Sequence, residues 1–499
     1  MTEDEKPTAA ERTNIPIRRI GYVVMALFCA MLLNVNWLQA LRAEELNNHR
    51  WNTMRLQDAF NQARGPIMVG QEAIAVSEDT SEDENADWEY QRTYPQGDLY
   101  AHIVGYYSPA GQSTGIEFYE NTLLSGEDQR LAVSRFLDTI SGEEEQGAQV
   151  ELTLDPDAQQ AAYDAFRQVN PNANGAAVAI EPDTGRILAS VSVPSFDPNQ
   201  ILSEPETYTE LNENDNQPLL NRAFNEVYPP GSTFKIVTAA AALENGYSID
   251  EPLSGMGPQA APRPEGGADL PNAFTGACGD GSPSIALSIE ISCNTSFANL
   301  ALDLGADAMT EQAEAFGFNG EQLELPMPAA VSSYPDTMEG SPIGQNQVFD
   351  SGIGQGLVQA TPLQMAMVAA GVANDGRVMR PYLVDRVVAP DLTTQIEANS
   401  PELLSEAMSP DTANAITDAM VQVTQGANGS GPGGAVPGYE VAGKTGTAEN
   451  AGPTHNWFIS FAPADDPQIA VAVVVENGGG SGGSLAAPVA AQIMEAVLE

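Results

Sequence analysis

The spacing of hydrophobic positions changes several times along the chain, and each change marks a different element. Ile20 to Leu41 (IGYVVMALFCAMLLNVNWLQAL) carries no charged side chain. As a helix it would be about 33 Å long, enough to cross the hydrocarbon core of a bilayer. Arg12, Arg18 and Arg19 precede it, which predicts a cytoplasmic N-terminus and an exported remainder. No small-residue cleavage site follows, only LQALRAEE, so the segment reads as a retained single-pass anchor rather than a signal peptide. Ala43 to Arg64 spaces Leu46, Trp51, Met54, Leu56 and Phe60 loosely on one face, the pattern of a juxtamembrane helix. From Gly65 to Gly147, short apolar runs such as Ile74 to Val76 and Ala101 to Val104 alternate with Gly, Pro and Asn, which predicts short strands and turns. Glu78 to Glu89 interrupts them as an acidic, low-complexity loop expected to be mobile.

Past Val150 the pattern settles. Leu152 to Leu154 reads as a short strand, and DPDAQQAAYDAFRQV as a capped helix. Ala176 to Ile180 and Arg186 to Ser192, around the turn EPDTG, read as a hairpin. Tyr228 to Gly246 (YPPGSTFKIVTAAAALENG) follows. There Pro229, Pro230 and Gly231 halt the preceding element, and Ser232 takes an N-cap or first-turn position. Thr233 to Asn245 is a helix closed by Gly246, with so little polar surface that it must be buried. Ser284 to Leu304 is helical in two parts, broken at Ser292-Cys293-Asn294. A glycine-rich loop, Gly352 to Gly356 (GIGQG), precedes a helix from Pro362 to Asn374. Glu440 to Glu449, Trp457 to Phe461 and Ile469 to Glu476 are sequential strands with short connections, hence an antiparallel meander. Leu485, Val489, Ile493, Met494 and Val497 then mark a closing amphipathic helix. Helices before and after an antiparallel sheet predict an α+β domain with both sheet faces covered.

Composition narrows the function. A formal charge of -48 over 499 residues argues against nucleic-acid binding and against docking on anionic lipid; the acid excess reads as a solvated surface. Cys29 lies in the anchor, and neither Cys278 nor Cys293 has His or Cys neighbours at zinc spacing, so no metal site and no cofactor is expected. Cys278 and Cys293, the two cysteines outside the anchor, would face an oxidising compartment, which predicts a disulfide in preference to two buried thiols.

Lys6, Lys235 and Lys444 are the only lysines; every other basic residue outside the three histidines is arginine. Lys235 stands three residues after Ser232, on the same face of the helix start. An amine can lose its proton and activate a serine hydroxyl, which a guanidinium cannot do. Alone, S-x-x-K is more often a capping serine with a surface lysine. Here it is joined, in order, by Ser292-x-Asn294 and Lys444-Thr445-Gly446, on helix, loop and strand. This set resembles the motifs of penicillin-binding proteins and serine β-lactamases.

The likeness extends over nearly the whole chain. Asn221-Arg222 with YPPGSTFK, PSFDPN at Pro194 to Asn199, LTLDPDAQ, SGIGQG followed by Thr361-PLQMA, and KTGTAE resemble the transpeptidase domain of class B penicillin-binding proteins, nearest to actinobacterial members. Arg92-Thr-Tyr-Pro95, AHIVGYY and Gly115-Ile-Glu117 resemble that class's pedestal, or dimerisation, domain. Ala43 to Gly147 is too short for a glycosyltransferase domain ahead of the pedestal and lacks that family's acidic motifs, which separates the chain from bifunctional class A. The implied division is 1–19 cytoplasmic tail, 20–41 anchor, 42–147 pedestal and 148–499 transpeptidase domain. By resemblance, Ser232 is the nucleophile and Lys235 its base. Ser292 relays a proton, Asn294 holds the peptide amide and orients Lys235, and Lys444 supplies positive charge. Thr445, Gly446 and Thr447 belong to the carboxylate-binding strand, and the backbone N–H groups of Ser232 and Thr447 form the oxyanion hole. Gln355 either lines the cleft or belongs to a structural turn. The implied substrates are peptidoglycan stem peptides ending in D-Ala-D-Ala, with β-lactams as trapped mimics and a membrane-embedded polymerase as partner. A β-lactamase or carboxypeptidase would use the same motifs with water as acceptor, but neither calls for the pedestal and anchor. A membrane sensor needs more than the short tail before the anchor, and an inactive scaffold would have lost motif residues.

Overall fold

The computed structural model of the chain describes residues 9–41, 62–83, 88–108, 112–132, 146–335, 337–338 and 341–499, with side chains of the first stretch described from 18 to 37. Two compact units result, Met1–Asn61 and Gln62–Glu499. In the first, helix α1 (Ala9–Leu41) contains Arg18–Trp37, long and apolar enough to cross a membrane at a mean hydropathy of 1.8, with its side chains exposed. The expected juxtamembrane helix lies outside the described residues except for its last three positions.

In the second unit the elements before the serine motif are β1 (Ile67–Val69), β2 (Glu72–Asp79), β3 (Tyr90–Thr93), β4 (Gln149–Leu152), α2 (Pro156–Val169), β5 (Asn174–Ile180) and β6 (Ile187–Val193). Then come α3 (Lys235–Glu244), β7 (Ala260–Ala261), β8 (Leu270–Pro271), α4 (Ile285–Glu290), α5 (Asn294–Ala315) and α6 (Pro362–Ala373). The chain closes with β9 (Val384–Val388), β10 (Gln395–Ala398), α7 (Pro410–Gln425), β11 (Ala442–Ala448), β12 (His455–Ala462), β13 (Ile469–Glu476) and α8 (Gly482–Leu498).

Strand periodicity explains the central sheet, ordered β11-β12-β13-β5-β6 and antiparallel throughout. Ala176, Val178, Ala470, Ala472 and Val474 join one core, with α3 and α6. Their neighbours Ala177, Ala179, Val471 and Val473 join the other, with α2 and α8. Alternate residues of each strand point to opposite faces, so apolar residues at every position require a helix layer on each side. Helix α2 starts at Asp155, whose side chain accepts from Ala158 N–H, with Pro156 in the first turn.

A second sheet, ordered β10-β9-β4-β1-β2-β3, joins strands from residues 67–93 to strands from 384–398 through β4 between them. Two local readings are corrected here. Ala101–Val104, expected as strand, is a helical turn with Val104 N–H bonded to Tyr100 O; four apolar residues do not fix a period. Glu78 and Asp79, expected in the acidic loop, continue β2, and Thr80 N–H closes onto Glu89 O at 2.8 Å.

Candidate active site

Ser232 sits in a 3₁₀ turn, Gly231–Phe234, and α3 proper begins at Lys235. Of the two expected positions, the first turn is the one taken: Ser232 caps nothing. The turn is tight because it is wedged between two backbones. Gly231 has φ +54°, and its N–H donates to Gly354 O at 2.8 Å. A Cβ on Gly231 would meet Thr447 O at 2.8 Å, so only glycine fits. The serine turn is thus pressed on β11 at Thr447 and held from behind by the GIGQG loop. Trp457 Nε1 donates to Pro229 O at 3.1 Å, and the Tyr228 hydroxyl donates to Glu476, itself paired with Arg222 at 2.9 Å. These braces come from sequence-distant strands, which local spacing could not reveal.

Burial then makes the chemistry. Lys235 and Lys444 are both fully buried. Lys235 Nζ donates to Ser292 O and to Asn294 Oδ1, each at 2.8 Å, and lies 3.3 Å from Ser292 Oγ. Lys444 Nζ donates to Ser292 Oγ at 2.8 Å and to Thr445 O at 3.0 Å. Ser292 therefore bridges the two amines. Its φ of +56° is left-handed, an uncommon state for a residue with a Cβ, and it turns the chain between α4 and α5. Among these contacts there is no carboxylate. Desolvation, and next the charge of Lys444, hold the Lys235 ammonium well below the ordinary lysine range. Burial alone pushes Lys444 down to about 7.

Above the amines lies a cavity of about 970 Å³, lined by Ser232, Ser292, Asn294, Gln355, Thr445 and Thr447 among others. Gly446, with no exposed surface to offer, packs against Trp457 and Thr233 below. Both readings of the GIGQG loop hold in part: Gln355 lines the cavity, while Gly354 supports the serine turn. Thr445 Oγ1 shares a hydrogen bond with Ser430 at 2.8 Å.

Cys278 and Cys293 are joined as a disulfide, their Cα atoms 6.0 Å apart. Asn272, which the sequence did not single out, lies beside it. Asn272 Oδ1 accepts from the N–H groups of Asn294 (3.1 Å) and Thr295 (3.2 Å), and its Nδ2 donates to Pro258 O and Gly276 O, both at 3.1 Å.

Comparison with known proteins accords with this geometry. Residues 175–495 match the penicillin binding protein transpeptidase domain, and residues 64–150 the penicillin binding protein A dimerisation domain. The peptidoglycan D,D-transpeptidase PbpA of Mycolicibacterium smegmatis is 39% identical, over 97% of this chain and 99% of that protein. Its namesake in Mycobacterium tuberculosis is 38% identical over the same shares. A structure of penicillin-binding protein A from M. tuberculosis, as a ceftriaxone acyl-enzyme complex, superposes with a TM-score of 0.83 at 39% identity, covering 89% of this chain and all of that one. The penicillin G acyl-enzyme complex of the same protein gives 0.81 at 38% identity, covering 88% and all. The chain belongs to the penicillin-binding protein transpeptidases, in their class B.

Proposed function

We propose that this peptidoglycan D,D-transpeptidase cross-links stem peptides through an acyl-enzyme on Ser232. One observation carries the assignment of the base. Two carbonyl oxygens at 2.8 Å from Lys235 Nζ match the two N–H donors of a neutral amine, while Ser292 Oγ lies farther off, at 3.3 Å. With Ser292 Oγ held more closely by Lys444, at 2.8 Å, the Lys235 lone pair takes the Ser232 proton as Oγ attacks the carbonyl between the last two D-alanines. The N–H groups of Ser232 and Thr447 face the developing oxyanion. Ser292, hydrogen-bonded between both amines, passes the proton to the leaving amine, and D-alanine departs. Lys444, buried with no counter-ion among the described residues, is completed by the substrate's terminal carboxylate, with the Thr445 and Thr447 hydroxyls beside it. An amine of a neighbouring stem then takes the acyl group. A β-lactam enters by the same first step and stays attached, as in the ceftriaxone and penicillin G acyl-enzyme complexes of the M. tuberculosis relative.

The anchor reading assigns 1–19 to the cytoplasm, 20–41 to the bilayer, 42–147 to a pedestal and 148–499 to an extracytoplasmic catalytic domain. Arg12, Arg18 and Arg19, ahead of the apolar run from Ile20, support this orientation, and the exposed apolar surface of α1 suits contact with a membrane-embedded polymerase. In native membranes a fluorescent penicillin should label this chain, and peptide mapping should place the adduct on Ser232. Turnover of the adduct within seconds would make the protein a hydrolase instead. An N-terminus mapped after Ala40 would remove the anchor.

A further inference from the structure

Helix α5 begins at Asn294, so its first backbone N–H groups need acceptors from outside the helix. The residue at the capping position is Cys293, whose side chain is tied up in the disulfide and offers only sulfur, 3.3 Å from Ser296 N–H. Oxygen arrives instead from Asn272, 22 residues earlier, on the N–H of Asn294 at 3.1 Å and of Thr295 at 3.2 Å. The side-chain amide of Asn272 cannot be turned over, because its nitrogen faces the carbonyls of Pro258 and Gly276. Its neighbour Pro271 accepts from Asn294 Nδ2 at 3.1 Å, which fixes the other end of that amide on Lys235 Nζ at 2.8 Å. Residues 271 and 272 thus hold both the backbone and the side chain of Asn294. Asn272 is 8% exposed and borders the cavity.

We propose that Asn272 is a positioning residue for the transpeptidase reaction: by capping α5 from the β8 loop it sets where Asn294 and Ser292 hold the amine of Lys235. The inference rests on Lys235 being the base. Loss of the cap frees the start of α5 to shift, and both oxygens that aim the amine move with it.

The test is the rate of penicillin acylation against pH for the full-length protein and two variants. Asn272→Leu keeps the number of heavy atoms and the branch at Cγ and removes every hydrogen bond; acylation should slow about 10- to 100-fold, the scale of a misplaced catalytic group. Asn272→Asp keeps oxygen on the two N–H groups and adds a negative charge next to Asn294. That charge favours the protonated amine, so the acid limb of the rate profile should move to higher pH, with most of the rate regained above it. Lys444 on β11, the other charged group acting on Lys235, is the same in both variants. Asp also turns an oxygen on the Pro258 and Gly276 carbonyls, so its melting temperature should fall. Wild-type rate in Asn272→Leu, or an unmoved acid limb in Asn272→Asp, overturns the proposal. If Asn272→Leu does not fold, the Asp profile decides alone; if neither folds, Asn272 serves folding only and the proposal is overturned. A wild-type profile with no acid limb would remove Lys235 as base, a different failure from an unmoved limb in the variant.

Discussion

Arg64 and Arg92 close on Glu117 at 2.8 and 2.6 Å, all three side chains buried in the region that matches the dimerisation domain. Lys235 and Lys444 are buried as deeply in the catalytic region, but their partners are two serine oxygens, an amide oxygen and a backbone carbonyl. In the first region the carboxylate is held below its ordinary range despite burial, because two guanidinium groups face it. In the second, burial with no opposing charge drives the amines toward neutrality. Equal burial thus yields fixed charge in one place and a mobile proton in the other. What decides is whether the cation can be deprotonated and whether an anion is supplied.

The comparison is broken most sharply by making the catalytic cation permanent. Lys235→Arg should lose acylation as fully as Ser232→Ala, a fall between about a hundredfold and ten-thousandfold, read from penicillin acylation rates. Near-normal acylation would remove Lys235 as the base. Glu117→Ala leaves two buried guanidinium groups unpaired and should cost about 3–5 kcal/mol in denaturant unfolding, while protein that remains folded still acylates. A smaller difference is expected at Lys444. Lys444→Ala should slow acylation about a hundredfold, and Lys444→Arg, which keeps the charge in a crowded site, about tenfold. Equal collapse of both would mean that Lys444 also transfers protons.

The smallest effect is in stability against pH, and its sign differs between the regions. Between about 7 and 10.5 an unfolded chain keeps a proton on Lys444 that the folded one has lost, so this site adds stability as pH rises through that window. Thermal melts should therefore show the stability advantage of Lys444→Met over wild type narrowing from pH 7 to 10. The contribution of Glu117 is present above its unfolded value of 4.5 and is lost as pH falls through its lower folded value.

The three motifs were legible because each is a run of three or four residues whose function depends on local spacing along a helix, a turn or a strand. The sheet was legible for the same reason: apolar residues at every position of Ile469 to Val475 demand two covered faces. Asn272 was not, since its role depends on backbone donors 22 residues away in a stretch without periodicity. Nor was the tight turn at Ser232, set by the close approach of Gly231 to the carbonyl of Thr447, which exists only after folding. The pairing of β4 with Val384–Val388 was equally hidden, because nothing in β9 names its neighbour.

That pairing also dictates the order in which the chain can be finished. Thr153 N–H and hydroxyl both bond to Leu383 O, 230 residues away, where β4 meets β9. Until residues 384–398 have been delivered, β4 presents an open edge, and β5 likewise waits for β13 at the far end of the chain. Long-range pairings of this kind form slowly and leave exposed strands ready to pair wrongly. A chain still being made is thus committed to a long interval with two unfinished edges. Its N-terminal half is the part that most needs shielding by a holding chaperone.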